Sequence, residues 1–184
     1  ILREIMRLGI AGKSIVTLRD IGQGGGYSGK DAEKMAIFEH VLKAGPWMVD
    51  AELEFASRNP EFVKMINKSR TKLLVSWHDF AGTPDLDGLL GLAGKMSMIS
   101  NHVKVVTTAK QVSDLLAIER LRREARASGI DITAFAMGEI GQVSRAISAL
   151  SGELAYTALR KRAVAPGQMD IEQMNELKGL KKIV

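Results

Sequence analysis

Short β-branched apolar runs alternate along this chain with longer stretches whose apolar residues recur at three- and four-residue spacing. The first kind reads as strand and the second as amphipathic helix. Strands are predicted at Ser14–Arg19, Trp47–Leu53, Lys72–Trp77, Val103–Thr107, Asp131–Ala136 and Glu153–Thr157. Helices are predicted at Lys30–Lys43, closed by Gly45-Pro46, and from Asn59-Pro60 to about Lys68. Others run from Thr83-Pro84-Asp85 to about Met98, over Lys110–Ser128 up to Gly129, over Glu139–Leu150 after Gly138, and over Asp170–Lys181. Strict alternation of strand and helix means a parallel sheet, either a barrel or a doubly wound layer.

Composition narrows the class. The 184 residues are 46% hydrophobic and 26% charged, enough for one soluble globular domain over residues 1–184. The absence of cysteine excludes disulfides and thiolate metal sites. The three histidines are scattered, with no H-x-x-x-H pair, so no metal site is expected. No apolar stretch approaches the ~20 residues of a membrane span, and no secretory signal is visible. The net charge of +5 is spread along the chain, and aromatics are only 5% without basic residues interleaved, so nucleic-acid binding is unsupported. A small anionic substrate suits the charge better. The loop Gly22-Gln23-Gly24-Gly25-Gly26 lacks the lysine and hydroxyl of a phosphate-binding loop and reads as a flexible connection.

One residue stands out chemically. Lys104 lies inside Asn101-His102-Val103-Lys104-Val105-Val106, a run that reads as a buried strand. Burial disfavours an ammonium and moves it toward the free amine, which attacks carbonyls and forms Schiff bases. A lone strand lysine more often snorkels at a strand tip, but this one has company. Ser76-Trp77-His78-Asp79-Phe80 stands upstream, and Met137-Gly138, Ser144-Arg145 and Ala165-Pro166-Gly167-Gln168 follow downstream.

Those segments, in that order, resemble the type I 3-dehydroquinate dehydratases. The match includes Val75–Phe80 with Thr83-Pro84, Val103-Lys104-Val105-Val106, and the ungapped Met137-Gly138-Glu139-Ile140-Gly141-Gln142-Val143-Ser144-Arg145. Ala165-Pro166-Gly167-Gln168 and an earlier Thr17-Leu18-Arg19 with Gly24-Gly25 complete it. Each motif alone is weak; five in register are specific.

The resemblance implies a parallel (β/α)8 TIM-type barrel. Six predicted strands are two short, and Thr17-Leu18-Arg19 would lie on the family's third strand, so the first two βα units and their E-x-R motif are expected to be absent. It also implies a cytoplasmic enzyme without cofactor, in many members a homodimer, acting on 3-dehydroquinate. Fusion to shikimate dehydrogenase, seen in some organisms, stays open. In that chemistry Lys104 converts the ketone to an iminium that serves as electron sink. His78, at the C-terminal end of its strand, takes the neighbouring proton and returns one to the departing hydroxyl. His40 and His102 read as structural. Arg19 and Arg145 would contact substrate, with Arg145 as the carboxylate clamp. The Gln168 amide would meet substrate hydroxyls, and Met137 would form a packing wall. Three positions depart from the pattern: Gln23 for a glutamate of E-G-G, Val164 for a serine before A-P-G-Q, and Thr157 where an aromatic wall is common. Two alternatives remain open, another Schiff-base lyase or aldolase on the same barrel and a truncated, catalytically impaired remnant.

Overall fold

The computed structural model describes residues 2–159, 163, 165 and 167–180. The expectations at Ile1, Val164, Pro166 and Lys181 therefore lie outside the described residues. Five strands form one sheet in chain order: β1 (Ile15–Thr17), β2 (Met48–Glu52), β3 (Lys72–His78), β4 (His102–Thr108) and β5 (Asp131–Met137). β1 pairs with β2 and β2 with β3 in parallel, setting Ile15 opposite Met48 and Met48 opposite Lys72. Helices alternate with them: α1 (Leu2–Arg7), α2 (Asp31–Leu42), α3 (Leu53–Arg58), α4 (Pro60–Asn67), α5 (Leu86–Ser97), α6 (Val112–Ala127), α7 (Gln142–Leu150) and α8 (Ile171–Leu180). This is the predicted α/β layout, as a parallel sheet that does not close into a barrel among the described residues.

The sixth predicted strand is not formed. Glu153–Thr157 has no strand assignment, and its neighbourhood contributes one isolated parallel bridge between Ala158 and Asp170. The physical reason lies in Glu153. Its carboxylate is 1% exposed and accepts from Arg122 Nε at 2.5 Å, Arg126 Nη2 at 2.7 Å, Ser148 Oγ at 2.6 Å and the Ala134 N–H at 3.1 Å. Side-chain bonds thus fix this segment where a ladder was expected. Other elements differ as well. Leu2–Arg7 forms α1, a helix that the apolar pattern did not predict. Leu53–Arg58 is a helix that follows β2 directly, with Glu52 as its N-cap. α7 starts at Gln142, three residues later than the predicted Glu139.

Packing divides the chain into two units, Ile1–Trp77 with Lys95–Val103, and His78–Gly94 with Lys104–Val184. The first is built on Phe38 of α2, Phe55 of α3 and Phe62 of α4, all fully buried, with ring centroids 4.9 to 6.2 Å apart. Each such side chain contributes about 1.5–3 kcal/mol by leaving water. β2 is buried on both faces, so its polar residues Asp50 and Glu52 are 1% exposed. In the second unit α6 packs on β5 through Ile118, Leu121 and Ala125. A capping box starts α6: Asp114 accepts from the N–H groups of Lys110 and Gln111. Such a cap is worth about 1 kcal/mol.

Candidate active site

The lysine lies where its sequence context suggested. Lys104 is on β4, 6% exposed, with Nζ 4.3 Å from the ring centroid of Tyr156. Tyr156 packs on Phe135 at 5.8 Å, and the Arg145 guanidinium lies 4.3 Å over Phe135. The Lys104 amine and the Arg145 guanidinium are thus each seated on one of two touching rings. Met137, 3% exposed, joins Val106, Phe135 and Tyr156 in one apolar cluster.

The M-G-x-x-G-x-x-S-R motif has a local explanation. Gly138 turns the chain at φ 86°, a conformation that suits glycine. At Gly141 a Cβ would fall 2.3 Å from the Met137 carbonyl, so the chain can pass only without a side chain. Ser144 Oγ donates to the Gly141 carbonyl at 2.6 Å and accepts the Ala136 N–H at 2.8 Å, which ties α7 to β5. Arg145 follows, 5% exposed. Burial pushes its guanidinium down to about 10, because no water shell stabilises the charge. A buried guanidinium of this kind is a strong receptor for a carboxylate.

His78 ends β3, half-buried, and stacks on Phe80 with centroids 6.3 Å apart. The loop after it is pinned. Asp79 Oδ1 accepts the N–H groups of Ala81 and Gly82 at 2.7 and 3.1 Å, and the Asp79 N–H donates to the Val106 carbonyl at 2.8 Å. Thr83 Oγ1 donates to Thr107 Oγ1 at 2.8 Å. These bonds fasten the histidine's loop to β4, the strand of Lys104. His40 is exposed on α2, and His102 opens β4 half-buried.

Gln168 follows the turn at Gly167, whose φ is 70° and where a Cβ would meet the Gly138 carbonyl at 2.5 Å. This approach seats the Gln168 segment on the Met137-Gly138 turn. Gln168 lines a cavity of about 390 Å³ with Ala158, Ala163, Asp170, Glu172 and Gln173.

Arg19 belongs to the other unit. It is 12% exposed, with Nη1 donating to Ser76 Oγ at 2.6 Å and lying 3.2 Å from Glu52 Oε1, and Nη2 donating to Asp50 Oδ1 at 2.7 Å. Sequence reasoning missed Asp50, Glu52 and Lys34 in this network, and Tyr156 and Phe135 beside Lys104. The signal for Asp50 and Glu52 was the one that exposed Lys104, charge inside a strand. For Tyr156 it was Thr157, one residue off. Among the described residues, no group of three or more His, Asp or Glu side chains is placed to hold a metal ion. No described helix is long and apolar enough to cross a membrane.

Comparison with known proteins identifies the family. The family profile described as type I 3-dehydroquinase matches residues 1–183. The 3-dehydroquinate dehydratase of Methanococcus maripaludis strain C7 is 34% identical over 167 residues, 89% of this chain and 75% of the relative. That of Thermococcus gammatolerans is 34% identical over 168 residues, 91% and 76% of the two chains. The crystal structure of 3-dehydroquinate dehydratase from Geobacillus kaustophilus superposes with a TM-score of 0.84 at 26% identity, covering 92% of this chain and 67% of that one. The type I enzyme from Clostridium difficile, solved with covalently modified comenic acid, gives a TM-score of 0.85 at 21% identity, covering 100% and 76%, a likeness of fold. This chain, with its lysine buried in a parallel strand and its M-G-x-x-G-x-x-S-R turn, belongs to the type I 3-dehydroquinase family. It is an enzyme of the lyase class on a TIM-type fold.

Proposed function

We propose that this chain dehydrates 3-dehydroquinate to 3-dehydroshikimate, a step of the shikimate pathway, through a Schiff base at Lys104 with His78 as general acid and base. The observation that carries the reading is Lys104 itself, buried on β4 with its amine against the Tyr156 ring.

The Lys104 amine adds to the substrate ketone, and the carbinolamine loses water to leave an iminium. His78 removes the proton next to the iminium carbon, and the electron pair moves into a neutral enamine. The enamine then expels the hydroxyl, which takes a proton from His78 as it leaves as water. Hydrolysis of the conjugated iminium uses one water, frees the enone product and restores the amine. The balance is one water lost per turnover.

Arg145 pairs with the substrate carboxylate through its buried guanidinium. The three contacts on Arg19 hold its plane fixed for a second substrate contact. Gln168 meets a substrate hydroxyl, and Met137 walls the site. The reading further takes the chain as one barrel domain, in a homodimeric cytoplasmic enzyme. Sedimentation of the full-length protein and its fractionation from cell extracts check those two properties.

The test follows the enone in the ultraviolet and the imine by intact mass. His78→Ala is expected to retain imine formation and to turn over at a very low rate, so substrate accumulates bound to Lys104. Near-normal turnover by this variant would remove His78 from the mechanism.

A further inference from the structure

Lys34 is a costly choice for its position. It is 1% exposed and is the fourth residue of α2, near the positive end of that helix. A cation there opposes the helix dipole, and an apolar side chain of similar size would fill the space with no charge to compensate. Its surroundings show what compensates it. Nζ donates to Asp20 Oδ1 and to Glu52 Oε2, both at 2.6 Å, and lies 4.8 Å from the ring centroid of Phe55 and 5.4 Å from that of Tyr27.

Glu52 faces two ways. Oε2 is taken by Lys34. Oε1 accepts the Asp20 N–H at 2.9 Å and lies 3.2 Å from Arg19 Nη1. One carboxylate therefore joins the buried lysine to the arginine. The cluster holds three carboxylates, Asp20, Asp50 and Glu52, against two cations, Arg19 and Lys34. Without Lys34, Asp20 and the Oε2 of Glu52 would lose the ammonium that each now meets at 2.6 Å, and Glu52 Oε2 would turn toward the Arg19 guanidinium.

We propose that Lys34 is a positioning residue for Arg19. By occupying one oxygen of Glu52 and anchoring Asp20, it limits the pull of the carboxylates and holds the guanidinium in the plane from which it meets the substrate. The inference rests on the reading of Arg19 as a substrate contact. Its consequence is a separation of effects: loss of Lys34 weakens substrate binding and leaves the chemistry at Lys104 intact.

Steady-state kinetics on the full-length protein decide it, with circular dichroism confirming the fold of each variant. Lys34→Gln is expected to raise KM roughly tenfold, with kcat within about twofold, since weakening a contact made equally in the ground state and the transition state raises KM and leaves kcat unchanged. Lys34→Arg keeps the charge and is expected to recover most of the loss. Should Lys34→Gln fail to fold, the double variant Lys34→Gln/Asp20→Asn, which removes one uncompensated carboxylate, carries the same prediction. Arg19→Gln serves as the reference. If Arg19→Gln raises KM while the Lys34 variants do not, the link through Glu52 is wrong. If kcat falls at unchanged KM, Lys34 is structural and the proposal fails. If Arg19→Gln leaves KM unchanged, the reading of Arg19 fails and takes the inference with it.

Discussion

Replacing Glu153 by alanine should markedly destabilise the second unit. The carboxylate is 1% exposed and accepts four hydrogen bonds, from Arg122, Arg126, Ser148 and the Ala134 backbone. Arg122 is itself only 3% exposed, so the deletion strands a buried cation. Removing one member of a buried pair costs about 3–5 kcal/mol. An orphaned buried N–H costs about 1–3 kcal/mol more when counted alone. These losses share one carboxylate and do not add. Arg122 also keeps Glu119 at 2.5 Å, which favours the low end, about 3 kcal/mol. For a chain of this length that corresponds to a Tm lowered by roughly 6–12 °C. Urea and thermal unfolding of Glu153→Ala, Glu153→Gln and Glu119→Ala measure it. Glu153→Gln keeps acceptors for Ser148 and Ala134 and should fall between the parent and Glu153→Ala. Glu119 is 53% exposed, and its loss should cost about 0–1 kcal/mol. A Glu153→Ala variant within about 1 kcal/mol of the parent would refute the claim that this carboxylate, in place of a sixth strand, holds the segment leading to Tyr156.

Two further outcomes are expected. Arg145 binds a carboxylate only as the cation, and burial sets its guanidinium at about 10 before substrate binds, so KM should be flat through neutral pH and rise as pH passes that value. Bound substrate favours the charged form, so kcat should hold to higher pH than KM; a KM flat beyond pH 11 would oppose the assignment. Gly141→Ala should perturb the Ser144 tie and displace Arg145, because its Cβ would lie 2.3 Å from the Met137 carbonyl. A rise in KM and a loss of about 1–3 kcal/mol in stability would show it, and unchanged values in both would count against the motif's explanation.

Five strands and most helices were legible in the sequence, because buried parallel strands carry β-branched runs and Gly-Pro or Asn-Pro breaks mark helix ends. The false strand at Glu153–Thr157 shows the limit of pattern reading. Its apolar residues resemble those of a strand, and only tertiary partners of Glu153 decide its backbone. The α3 helix was missed because it follows β2 with no glycine or proline between, and the apolar pattern runs through the junction. Of the proposed site residues, His78, Lys104, Met137 and Arg145 were legible as motifs in register. Tyr156 was not, since the aromatic that packs on the lysine stands one residue before the expected position. Lys34 was hidden for a different reason: in a first turn that also carries Asp31 and Glu33, a buried lysine reads like an exposed one.

The account stands or falls on which lysine becomes covalent. Borohydride reduction in the presence of 3-dehydroquinate, followed by peptide mass spectrometry, should place the adduct on Lys104 and nowhere else, and Lys104→Ala should abolish both adduct and turnover. An adduct on Lys110, with Lys104 unmodified, would contradict it.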